Sequence, residues 1–338
     1  MPSIVKLAGY CLLGFIFALP LLAQAPPPCQ KLALPITVRD SSGKQIRGVV
    51  PQDFVSKVNK EKIQLGPVIQ DTRPRRAVIL VDTSGSMAVQ TGTSRWKLAF
   101  EIAAHFSKTA AASGAQLALI RFDEQVRDVA DFSPHNAQVA EVLKHVIEDE
   151  TLSKKEMHGR TALYDAIDRG LRLLDHPSSA DLIFAVTDGG ENASHIKHGA
   201  LERELLANGV RFYSVLMIDS SEAKRGRTPE ELEGPKILQE LSESTGGEMF
   251  GPVGYSRGGY LTFASPKYNY DPKTKVEVAL AEFYQGLLQN ELIQVPLMEP
   301  SEPETLEIKF SEDARHKWKD AIVAYPHKLA RCEVQGEH

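Results

Sequence analysis

Apolar residues run without alternation from Ala77 to Val81, and again from Leu182 to Val186 in a strand read as starting at Asp181. A strand with one wet face would alternate, so both runs predict buried strands of a parallel sheet covered on its two faces. Helical and extended patterns alternate around them. The spacing predicts helices over 97–108, 136–147, 161–174, 201–208 and 276–288, with strands over 116–122 and 210–218. In the third helix Leu163, Ile167, Leu171 and Leu174 share one face, and Thr161 stands where an N-cap belongs. Such alternation predicts an α/β fold, a doubly wound and mostly parallel sheet with helices on both faces. In that architecture ligands gather outside the carboxyl ends of the strands, where the strand order reverses between the first and fourth strands.

The flanks follow a different period. Ile36, Val38, Val49, Val50 and Phe54 to Val58 read as short extended pieces around the turn Asp40-Ser41-Ser42-Gly43. After Asn290 the alternation returns at Leu292, Leu306, Ile308, Phe310 and Ile322. The resulting division is a leader over 1–25, a small β segment over 26–72, the α/β domain over 73–295 and a C-terminal β segment over 296–338. The two β segments are expected to pair into one small accessory domain. Residues 219–236 and 251–273 read as long exposed loops, either binding loops on a rigid scaffold or tolerated insertions.

Both buried runs end in polar clusters. The first leads into Asp82-Thr83-Ser84-Gly85-Ser86, and the second into Asp188 and two glycines. Asp82, Ser84 and Ser86 alternate, so a tight loop can aim all three at one point. Carboxylate and hydroxyl oxygens suit magnesium, manganese or calcium, whereas zinc and copper favour nitrogen or sulfur. Taken singly, the first cluster is a polar turn, Thr161 a helix cap and Asp188 a turn residue.

Taken together, the three segments resemble the von Willebrand factor A domain with its metal-ion-dependent adhesion site, a DxSxS loop followed by a distant threonine and a distant aspartate. The resemblance spans about residues 73 to 295, and all five motif positions are present. It implies a Rossmann-like domain in which Asp82, Ser84, Ser86, Thr161 and Asp188 hold Mg2+, or Mn2+ or Ca2+. One coordination position would stay open for a Glu or Asp carboxylate of a protein partner. The N-terminal flank also resembles the segment before the A domain in secreted bacterial VWFA-related proteins of acidobacterial type. The implied function is a secreted, cation-dependent adhesion or interaction module. The competing reading is a scaffold of the cell envelope that is indifferent to metal.

The chain has 338 residues, 42% hydrophobic and 25% charged, which places it among ordinary globular proteins. Lys6 is the sole charge in residues 1–25, and Leu7 to Leu22 is almost wholly apolar before Ala23-Gln24-Ala25. That is the pattern of a cleaved signal peptide, too short and too interrupted by Pro20 for a stable span. The expected product is periplasmic or extracellular. Loss of Lys6 takes the formal charge from −5 to −6, without the basic footprint that nucleic acid demands. Cys29 and Cys332 survive cleavage, and an oxidising compartment invites a disulfide between them; two free thiols are the alternative. Catalysis is not expected. Gly254-Tyr255-Ser256-Arg257-Gly258 spells GxSxG, but no helical pattern follows it. His158 lies near Thr161 and reads as a loop histidine, and the sequon Asn192-Ala193-Ser194 reads as incidental.

Overall fold

The computed structural model describes residues 31–88, 90–91, 93–133, 136–149, 159–218, 229–255, 261–265, 267–271, 273–296 and 304–329. The leader, Cys29, Cys332 and His158 lie outside them, as do Ser256, Arg257 and Gly258 of the GxSxG run. No described helix is long and apolar enough to cross a membrane.

Seven strands form the main sheet: β1 (Arg76–Asp82), β2 (Gln116–Phe122), β3 (Val126–Ala130), β4 (Leu182–Thr187), β5 (Arg211–Met217), β6 (Met249–Tyr255) and β7 (Leu261–Phe263). Their spatial order is β3-β2-β1-β4-β5-β6-β7. β1, β2, β4, β5 and β6 run parallel, and β3 and β7 close the edges antiparallel. The predicted reversal between the first and fourth strands is present, since β1 has β2 on one side and β4 on the other. Among the described residues six helices cover the faces: α1 (Arg95–Ala112), α2 (Ala137–Glu148), α3 (Leu163–Leu173), α4 (His198–Ala207), α5 (Pro229–Thr245) and α6 (Val276–Leu288). One core layer joins Ile79, Phe106, Phe184 and Tyr284 beneath α1, α2 and α6. The other joins Leu80, Ile167, Ile183 and Leu238 beneath α3, α4 and α5. β1 and β4 are buried on both faces, which explains their lack of alternation.

The flanks form two small sheets. Lys31–Arg39 pairs antiparallel with Glu291–Pro296 and with Ile322–Ala324. Phe54–Val58 pairs with Glu304–Phe310, whose burial alternates strictly along the strand. Leu34, Ile36, Val38, Phe54, Ile293, Ile308 and Phe310 share one core between them. The accessory β unit is thus built from both ends of the chain.

Three sequence expectations need correction. The predicted loop over 219–236 is in part helix, because α5 begins at Pro229. Gly234 and Pro235 disfavour a helix locally, but burial of Leu238 and Leu241 against the sheet overrides that preference. The predicted excursion over 251–273 contains strand, since β6 and β7 extend the sheet there. Third, Thr161 is not the cap of α3. The N-cap is Ala162, with no side-chain cap, and the helix begins at Leu163.

Candidate metal centre

β1 delivers Asp82 to the carboxyl edge of the sheet, and β4 delivers Thr187 and Asp188 beside it. Asp82 is wholly buried. Its Oδ1 accepts the Ser84 N–H at 2.8 Å, and its Oδ2 accepts the Thr187 hydroxyl at 2.5 Å. The first bond closes the Asx-type turn that the DxS spacing favours. The loop then tightens into one short 3-10 turn over Gly85–Ala88, where the Ser84 and Ser86 hydroxyls stand 3.1 Å apart. Thr83 points away, donating through its backbone N–H and its hydroxyl to Phe122 O.

Thr161 arrives from a separate direction. The N–H of the next residue, Ala162, donates to Asp123 O at 2.7 Å, which anchors this segment to the end of β2. Thr161 N–H donates to Asn192 Oδ1 at 2.9 Å, while the Asn192 and Ala193 N–H groups donate back to Thr161 O at 3.0 Å. The loop after β4 also caps α3: Glu191 Oε2 accepts from Tyr164 N–H and Ser194 Oγ from Asp165 N–H. Borrowed caps of this kind satisfy the first-turn donors and release the Thr161 hydroxyl from capping. A Cβ at Gly190 would lie 3.4 Å from both Thr161 Oγ1 and Asp188 Oδ1, so these two oxygens share one small space. Gly189 is required for two reasons. Its φ is +84°, and a Cβ there would meet the Gly234 backbone at 2.8 Å.

The five sequence-predicted residues therefore converge. Asp82, Ser84, Thr161 and Asp188 are buried, and Ser86 is half-buried. Burial, and then the nearby Asp188 carboxylate, push Asp82 up to about 7. The bonds from Ser84 and Thr187 oppose that rise without cancelling it. Among the described residues no group of three or more His, Cys, Asp or Glu could hold a metal. Any cation here would rest on two carboxylates and three hydroxyls.

Three contributors escaped the sequence reading. Arg95, at the start of α1, donates through Nη1 to Ser86 O at 3.1 Å and to Asp188 Oδ2 at 3.4 Å. It ties the two acidic loops together from beneath. Thr187 was legible as a hydroxyl ending a buried strand. Asn192, taken for an incidental sequon, is the clamp that positions Thr161.

Solved structures of similar fold include the von Willebrand factor type A protein from Catenulispora acidiphila, at 13% identity, TM-score 0.40, and coverage of 92% of this chain and 76% of that one. Another is BatB, a conserved hypothetical protein from Bacteroides thetaiotaomicron, at 16% identity, TM-score 0.38, and coverage of 52% and 88%. A third is the SpRpn10 VWA domain, at 11% identity, TM-score 0.40, and coverage of 62% and 94%. No curated protein matches the chain. Residues 77–191, about a third of the chain, match the family model described as von Willebrand factor type A domain, and this stretch is a domain of that type.

Proposed function

We propose that Asp82, Ser84, Ser86, Thr161 and Asp188 hold a divalent cation, Mg2+ or else Mn2+ or Ca2+, and that the chain is an exported module binding a protein partner through it. Domains of this type generally mediate protein–protein interaction. The observation that carries the finer reading is the meeting of two buried carboxylates with three hydroxyls drawn from three separate loops. Such a donor set suits a hard cation, and Asp82, raised by burial and by Asp188, lacks full compensation without one. When bound, the ion supplies a concentrated positive charge with one position for a partner's Glu or Asp oxygen.

This chain's own residues do the rest. Thr187 and the Ser84 N–H orient the Asp82 carboxylate; Asn192 sets Thr161; the Gly190 N–H and Arg95 hold Asp188. The role proposed is binding, with no catalytic step. Isothermal titration with each of the three ions should show saturable binding in the wild type and none in a folded Asp82→Ala protein. Partner capture from envelope extract should need the cation and vanish in chelator.

One observation favours a second reading, a metal-indifferent scaffold. The Arg95 guanidinium already bridges Asp188 and Ser86 O, so a built-in cation can hold the loops. On that reading Arg95→Met would abolish partner capture, and chelation would leave it intact.

A further inference from the structure

The amino ends of the parallel strands bury cations. Arg75 precedes β1 and Arg211 opens β5, and they are 6% and 0% exposed. Both reach the residues just ahead of β4. Arg75 Nη1 donates to Ala180 O at 3.2 Å, and the Arg211 N–H approaches Asp181 O at 3.5 Å. Arg75 Nε donates to Leu288 O, at the end of α6, at 2.6 Å. Arg211 Nη1 donates to the Tyr213 hydroxyl at 2.6 Å, with its guanidinium carbon 5.4 Å from the ring centroid. Asn290 is fully buried two residues past Leu288, and its carbonyl accepts the Asp71 N–H at 3.1 Å.

Much of this hydrogen-bonding capacity is unmet. Arg211 Nε and Nη2, Arg75 Nη2, and both amide atoms of Asn290 are buried without a hydrogen-bond partner. Asp71 Oδ2 lies 3.4 Å from Arg75 Nη2 as an ion pair, and Asp71 is shared with Arg73. Among the described residues no acid lies within ion-pair distance of Arg211. Burial, followed by the Arg211 charge, pushes Arg75 down to about 10, so the two guanidiniums feel each other.

An uncompensated buried guanidinium is strongly unfavourable. Water would satisfy the N–H groups but would bring hydrogens of its own. Among the unmet atoms of Arg75, Arg211 and Asn290, Asn290 Oδ1 is the sole acceptor. An anion accepts from every donor and also supplies the missing charge. The enclosure rules out an acidic side chain or phosphate carried by another macromolecule. We propose that Arg75, Arg211 and Asn290 enclose a small monovalent anion, chloride foremost, with the Tyr213 hydroxyl turning its own hydrogen toward it. The ion would tie the end of α6, and the flank strand that follows it, to the bottom of the sheet.

The site lies at the opposite end of β1 from Asp82, so its test is run in chelator and its failure leaves the cation reading untouched. Thermal unfolding of the full chain is followed in sodium chloride, bromide or nitrate against sodium gluconate at equal ionic strength. The expected result is a midpoint rising by roughly 2 °C for each tenfold increase of the small anion above its Kd, with gluconate inert. Bromide-soaked crystals should show an anomalous peak between the two guanidiniums. Arg211→Met should remove both the anion dependence and the peak. Should that variant not fold, the wild-type bromide peak decides alone. Equal midpoints in all four salts, with no bromide peak, would overturn the proposal and leave water as the bridge.

Discussion

The two ends of one sheet bury opposite charges. At the carboxyl edge, Asp82 and Asp188 sit buried among hydroxyls, of which Ser86 is half-buried. At the amino edge, Arg39, Arg75 and Arg211 are enclosed beneath α6 and the flank strands. Arg39 belongs to a network that is complete. It pairs with Glu248 at 3.1 Å and donates to the carbonyls of Gly43, Glu282 and Phe283, while Tyr268 donates to the other Glu248 oxygen. A Cβ at Gly286 would overlap the Arg39 guanidinium, so the arginine crosses α6 where that helix has no side chain. Buried charge is tolerated where every partner is internal, as around Arg39; around Asp82 two hydrogen bonds meet the charge only in part, and it is there that a cation is proposed.

The largest expected effect tests the acidic end. Asp82→Ala should weaken divalent-cation binding by more than the roughly 10–100-fold typical of lost supporting partners, measured by titration calorimetry with circular dichroism confirming the fold. Next comes the completed network. Arg39→Ala leaves Glu248 buried without its cation and should destabilise by about 3–5 kcal/mol, read by urea unfolding. The double change Arg39→Met with Glu248→Leu should recover much of that loss.

A pH series sharpens the contrast. Asp82 has its folded value raised to about 7 from an ordinary value of 3.8. The folded state then favours the protonated acid. Stability of the chelated protein is fully present below about pH 4 and is lost as pH rises toward about 7, by up to about 1.4 kcal/mol per pH unit. Asp82→Asn should flatten this slope in thermal melts, and saturating cation should flatten it in the wild type. The smallest effect falls on the clamp. Asn192→Ala leaves Thr161 N–H without its acceptor and should cost about 1–2 kcal/mol, together with a modest loss of cation affinity. An unchanged titration for that variant would show that Thr161 needs no such support.

Much of the acidic end was legible because it is written in local chemistry. A DxSxS turn follows a strand too apolar to face water, and Asp188 follows its twin. The helix over 276–288 matched α6 to the residue, since its periodicity agrees with its burial. Other features resisted for stated reasons. Thr161 looked like a cap because a hydroxyl before an apolar face usually is one, and only the loop after β4 could take over that task. The start of α5 was hidden by glycine and proline. Arg95 carried no signal, being one basic residue at a helix start.

The sequence by itself determined the fold class, the identity of the buried strands and the five oxygen-bearing residues at the carboxyl edge. Their periods and spacing are properties of the chain, and strand direction alone sends Asp82 and Asp188 to the same side. Tertiary structure decided which polar groups would be left without partners. Arg39, Arg75 and Arg211 are indistinguishable as letters, yet one finds an acid 209 positions away, one shares an acid with Arg73, and one finds none among the described residues. Pairing across such separations depends on how α6 and the flank strands pack, and that is fixed by the shape of the whole core.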